Sequence, residues 1–235
     1  MIKDGTILQI PVLANFVSLR IDALILGQYK PSSSVGYYSI ATAICEALLL
    51  GSLVVQTAFY STVSQIIHDK TQMAMKTLRI YRNNLMLFLI GGIILAITAP
   101  WLILLLYGKA FLPSLKPLFI LLPGSIMLYS HTILGNYMVS SRRFLPFAAI
   151  CVTGAALNVF LNLYLIPRFD YNGAALTSTI TYSITAILLI VGFLTTSKMY
   201  FREFVKQLRI TQEDLMVYKN IFKSIFAKQK EKLSA

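Results

Sequence analysis

The stretch from Leu85 to Leu106 reads Leu-Met-Leu-Phe-Leu-Ile-Gly-Gly-Ile-Ile-Leu-Ala-Ile-Thr-Ala-Pro-Trp-Leu-Ile-Leu-Leu-Leu and carries no charged side chain. At about 1.5 Å rise per residue, a helix of this length crosses the ~30 Å hydrocarbon core of a bilayer. A membrane β-strand would instead alternate polar and apolar residues over ~10 positions. The stretch is therefore a transmembrane helix, and the rest of the chain repeats its character. The sequence is 57% hydrophobic and 13% charged, with mean hydropathy +0.70, whereas soluble domains carry about 25% charged residues. An all-α polytopic membrane protein follows.

Working outward, six spans can be placed: Thr6 to Gly27, Val35 to Phe59, Leu85 to Leu106, Leu118 to Val139, Leu145 to Ile166 and Gly173 to Thr195. Residues 1–197 thus form a six-helix transmembrane lobe, and residues 198–235 a basic tail. Pro31 with Ser32 to Ser34, Gly108, Arg142 with Arg143, and Asn172 with Gly173 are the expected turns. Pro11, Pro123 and Gly124 lie inside spans, where neighbouring helices can satisfy the backbone groups they free. Cys45 and Cys151 sit in apolar blocks and read as small hydrophobes. The first apolar block is as long as a spanning helix and has no small-residue cleavage pattern after it, which argues against a signal peptide.

Lys and Arg fall unevenly across the loops. Lys3, Lys70, Lys76, Arg79, Arg82, Arg142, Arg143 and the nine basic residues of the tail share one side, 16 in all, against Lys30, Lys109, Lys116 and Arg168 on the other. The positive-inside rule then puts both termini in the cytoplasm, and Trp101 and Tyr107 near the outer interface. A net charge of +12 without a DNA- or RNA-reading motif points to anionic lipid headgroups, not to nucleic acid. From Thr211 onward, Leu215, Tyr218, Phe222, Ile225 and Phe226 share a helical face, so the tail is expected to lie as an amphipathic helix on the membrane surface.

Polar residues recur at helical spacing in five of the six spans. They are Asn15, Ser18 and Asp22; Tyr38, Thr42 and Glu46; Ser125, Tyr129, Thr132 and Asn136; Gly154, Asn158 and Asn162; and Thr177, Thr181 and Thr185. The third span has only Thr98 and is expected to face lipid. Two readings fit: a polar, water-filled interior, or interhelical hydrogen bonds worth ~0.6 kcal/mol each on average. Ionisable groups are more informative, because one inside a span costs ~2.5 kcal/mol or more and normally marks a pathway, a partner or a proton relay. Asp22 and Glu46 are candidates for ion coupling. Arg20, two residues from Asp22 and so on the opposite face, either pairs with a phosphate or a neighbouring carboxylate, or snorkels outward. His131 is either a proton acceptor or a packing residue.

The segment Arg20-Ile-Asp22-Ala-Leu-Ile-Leu-Gly27, with Val35-Gly36-Tyr37-Tyr38-Ser39-Ile40-Ala41 and Glu46, resembles the opening of the second half of polysaccharide-biosynthesis flippases. Further matching segments follow in order: Leu105-Leu106-Tyr107-Gly108-Lys109-Ala110-Phe111, then Leu157-Asn158-Val159-Phe160-Leu161-Asn162-Leu163, then Ile166-Pro167 and Gly173-Ala174-Ala175. The resemblance, from about Leu8 to Lys198, is to the superfamily of multidrug extruders, oligosaccharide-lipid flippases and lipid II flippases. It implies one lobe of a two-lobe transporter in the bacterial cytoplasmic membrane. Alternating access would pass a polyprenyl-diphosphate-linked oligosaccharide across it, and a partner lobe would be an N-terminal half or a second copy.

On this reading Arg20, Asn15, Thr42, Tyr129, Asn158, Asn162 and Thr181 are candidates to line the substrate cavity, and Asp22, Glu46 and His131 to couple an ion. No Walker loop, metal-spaced Cys/His cluster or nucleophile elbow is present, so neither a cofactor nor an enzymatic activity is expected. A drug or metabolite antiporter of the same superfamily remains the alternative. A membrane glycan-transferring enzyme is disfavoured because the longest outer connection, Tyr107 to Pro117, is short and has no acidic residue. A non-transport scaffold subunit is a further possibility.

Overall fold

The computed structural model describes residues 2–64 and 69–208, and every regular element among them is helical. Six long helices run in order: α1 (Ile2–Tyr29), α2 (Ser32–Ser64), α3 (Lys70–Tyr107), α4 (Leu115–Ser140), α5 (Phe144–Phe169) and α6 (Tyr171–Ser197). A 3-10 segment, Lys109–Ser114, joins α3 to α4, and a short α7 (Phe201–Gln207) follows α6. Among the described residues five helices are long and apolar enough to cross a membrane. The remaining expected span, Val35 to Phe59, falls within α2, where several side chains lie outside the described residues. The amphipathic helix expected from Thr211 onward lies outside them as well.

Short connections reverse the chain at each end, and their chemistry is local. Gly108 adopts φ +84°, which lets its N–H reach back to the Ile103 and Leu104 carbonyls and stop α3. Arg142 takes the left-handed position after α4, and the Arg143 N–H closes onto the Met138 carbonyl. The turn before α6 is not at Asn172 and Gly173, as the sequence suggests, but at Asp170, with φ +58° and ψ −142°. Such a backbone in a residue with a side chain costs on the order of 1–3 kcal/mol. It is held there because one Asp170 carboxylate oxygen accepts from the Tyr171 N–H at 2.8 Å and the other from the Ser34 hydroxyl at 3.0 Å. Gly173 serves packing instead: a Cβ there would collide with the Leu165 carbonyl of α5.

Lipid tails are as apolar as leucine, so contact shape and hydrogen bonds, more than water exclusion, hold such helices together. Small residues supply the close approaches. At Gly124 of α4 an added Cβ would lie 2.5 Å from the Thr179 Cα of α6. The Thr179 hydroxyl donates to the Ile120 carbonyl at 2.6 Å, in the turn where Pro123 has removed an amide donor. At Gly154 of α5 the clash would be with Thr185 Oγ1 at 2.6 Å. The buried apolar residues divide into two main clusters. One, toward the Gly108 end, holds Leu26, Tyr38, Ile103, Leu118 and Ile166. The other, toward α7, holds Phe59, Leu78, Leu134, Tyr137 and Phe193. Only 17% of the most apolar stretch of α3 is buried by protein, against 50% for α6, so α3 offers its outer face to lipid.

Candidate functional site

Helices α1, α2 and α6 converge on Asp22, which is 1% exposed. Tyr38, six residues into α2, donates its hydroxyl to Asp22 Oδ2, and the Ser178 hydroxyl of α6 donates to the same oxygen at 2.9 Å. The Ala23 N–H reaches the other oxygen, Oδ1, at 3.1 Å. Three helices thus contribute to one buried carboxyl group. A carboxyl surrounded by hydroxyls, which can donate or accept, is supported whether it holds a proton or faces a small cation. Ser178 was not visible as a site residue in the sequence, because it lies one position off the Thr177, Thr181 and Thr185 stripe. Tyr38 was on a polar stripe, but the stripe did not say that it would turn to α1.

The other two charged side chains of this region pair with each other. Arg20 Nη1 lies 3.5 Å from Glu46 Oε1, with the two side chains 58% and 29% exposed. Asp22 and Glu46 nonetheless border the same void of about 10 Å³, together with Thr42, Cys45, Ser125 and Tyr182. Such a void approaches the least that one water needs. Thr42 spends its hydroxyl on the Ser39 carbonyl at 3.0 Å.

Below this junction the bundle opens into two cavities between the apolar clusters. One of about 170 Å³ is lined by Asn15, Ser18, Thr132, Thr181 and Thr185 among others. The next, about 400 Å³, shares Asn15, Thr132 and Cys151 with it and continues past Asn136 toward Tyr60. The Tyr60 hydroxyl donates to Asn136 Oδ1 at 3.0 Å. Members of all five sequence-predicted polar stripes therefore border these adjoining voids, with Gly154 the one contributed by α5 and Thr42 and Glu46 of α2 reaching only the smallest.

Asn158 and Asn162 are elsewhere: both are 0% exposed and line none of these cavities. Asn162 Nδ2 donates to Asn158 Oδ1 at 2.9 Å. With Gly154 against Thr185 and Gly173 against Leu165, the antiparallel register of α5 and α6 puts Asn158 opposite Thr181 and Asn162 opposite Thr177. Asn158 Nδ2, Asn162 Oδ1, Thr177 Oγ1 and Thr181 Oγ1 are all buried without a hydrogen-bond partner. A ladder of unspent polar groups thus runs along the α5–α6 seam. The side chains of Tyr129 and His131, on α4, lie outside the described residues. No group of three or more His, Cys, Asp or Glu with metal-binding geometry occurs among the described residues.

Residues 3–116 match the sequence profile of a family described as polysaccharide biosynthesis protein, just under half of the 235 residues. Among curated proteins, none matches the chain. Two solved transporters share its fold. One is a MOP superfamily transporter from Pyrococcus furiosus Vc1 (DSM3638), described as having a binding pocket of reverse polarity that suggests a different function. It has a TM-score of 0.72 and 16% identity, over 91% of this chain and 48% of its own. The other is a multidrug resistance MATE family transporter of the MOP superfamily in an outward-facing conformation, with TM-score 0.72 and 16% identity over 91% and 49%. The chain spans about half the length of each. It shares its fold with about half of each of these two MOP superfamily transporters and, over residues 3–116, has the sequence pattern of the polysaccharide biosynthesis family.

Proposed function

We propose that this chain is one lobe of a transporter that moves a polyprenyl-diphosphate-linked oligosaccharide across the cytoplasmic membrane by alternating access. The observation that carries the reading is the sidedness of the bundle. On α3, Leu87, Ile90, Ile93, Ile94 and Ile97 are exposed, as a lipid-facing helix requires. Exposed or half-exposed Asn15, Arg20, Thr42, Glu46 and Asn136 instead lie on α1, α2 and α4. Polar and charged groups left accessible at membrane depth need a partner surface or a water-filled path. A second lobe, from an N-terminal half or another copy of this chain, supplies both.

In this reading Arg20 meets the diphosphate. Its pairing with Glu46 holds the guanidinium in place while the path is empty, and an anionic headgroup competes for it, because planar bidentate contact with phosphate oxygens is a strong form of Arg recognition. Asp22 is the carboxylate suited to carry a coupling proton or cation, since its partners are hydroxyls and not a fixed positive charge. A drug or metabolite antiporter is the second reading, favoured by the likeness to a multidrug resistance MATE family transporter.

The test is glycan export by the chain with its partner lobe supplied. Arg20→Ala abolishes export while the protein stays in the membrane, and Arg20→Lys restores only part of it. Full export by Arg20→Ala would remove the headgroup role, and efflux of cationic dyes without glycan export would select the antiporter.

A further inference from the structure

We infer that the α6–α7 connection and the start of α3 form a binding site for an anionic phospholipid headgroup, independent of the transport path. α6 is 27 residues long, about 40 Å at 1.5 Å per residue, which matches a bilayer including its headgroup layers at ~40–45 Å. α7 begins four residues past its end and so lies at headgroup depth.

Its placement is fixed by packing. Phe204 is 3% exposed, its ring 6.2 Å from those of Tyr81 and Phe193, and Arg82 Nη1 donates to the Gln207 carbonyl at 3.0 Å. Phe201 and Val205, one helical face over, stay exposed at 64% and 43%. Between α7 and the first turns of α3 lies a groove of about 440 Å³, lined by Thr71, Ser197, Lys198, Glu203, Lys206 and Gln207 among others.

The chemistry of this groove selects its occupant. Lys198 and Lys206 outnumber the single carboxylate of Glu203, and Thr71, Ser197 and Gln207 offer hydrogen bonds to phosphate oxygens. Exposed Arg202 flanks the groove on α7. Phe201 and Val205 lie outside this groove and share a second one, of about 690 Å³, with Arg202, Glu203 and Lys206. A lipid whose phosphate sits at Lys206, which borders both, sets its acyl chains against this apolar pair, for which a soluble phosphate would have no use.

Native mass spectrometry of the full chain, titrated with phosphatidylglycerol or phosphatidylcholine, reads this directly. Phosphatidylglycerol adducts form at lower lipid concentration than phosphatidylcholine adducts. Lys198→Gln with Lys206→Gln raises the half-saturating phosphatidylglycerol concentration roughly thirty-fold, as loss of two basic residues near an anionic headgroup implies, and leaves phosphatidylcholine binding unchanged. Lys109→Gln with Lys116→Gln, at the opposite end of the bundle, behaves as the unaltered chain. Equal binding of both lipids by the unaltered chain, no shift in the Lys198/Lys206 variant, or an equal shift in the Lys109/Lys116 variant would each overturn the site.

Discussion

Asp22 and Glu46 border the same small void on adjacent helices, yet the fold treats them in opposite ways. Asp22 is sealed by hydroxyls from two other helices, while Glu46 is part-exposed and bound to an Arg that is itself more than half exposed. Burial without a counter-ion makes a group's charge conditional on what binds it. Exposure with a counter-ion makes the partner exchangeable. The first arrangement suits a coupling ion, and the second suits a ligand that trades places with Glu46 for Arg20.

The strongest way to break this contrast is functional. With both lobes present, Asp22→Asn should remove most of the pH or sodium dependence of export, and Glu46→Gln should leave that dependence in place. The reverse result, measured by export assays across pH and sodium concentration, would exchange the two roles. Stability sharpens the contrast next. Asp22→Ala leaves the Tyr38 and Ser178 hydroxyls only their mutual contact at 3.3 Å, so that one buried donor goes unsatisfied, a loss of about 1–3 kcal/mol read as a lowered unfolding midpoint in detergent. Ser178→Ala removes one donor and keeps Tyr38, so about 1 kcal/mol is expected in the same assay. Arg20→Ala should cost less still, within about 1 kcal/mol, as exposed ion pairs do. A larger loss for Arg20→Ala than for Asp22→Ala would show the exposed pair to be the structural one.

Hydropathy alone marked the long helices, and the near-absence of polar residues between Leu85 and Leu106, where Thr98 stands alone, matches the low burial of α3. Gly108 was legible as a turn because a positive φ without a Cβ clash is a local property. Asp170 was not, since its backbone is held by Ser34 from 136 residues away, a contact that no local pattern announces. Periodicity likewise fixed which residues share a helical face but not what that face meets. Asn158 and Asn162 had the spacing of cavity residues and are buried against α6. Ser178 was off its helix's polar stripe and became a partner of Asp22, because helix crossings expose flanking positions as well as the stripe itself.

The division of the apolar core into two clusters has a mechanical consequence. A bundle with two packed blocks and cavities between them is, by geometry, stiffer at its ends than in the middle, like a beam notched at its centre. A bend of about 10° at the waist of a ~40 Å helix moves either end by roughly 3–4 Å, using rotation alone and no change of helix length. In such a bend the stapled turn at Asp170 and the docked α7 would each travel with its own packed block.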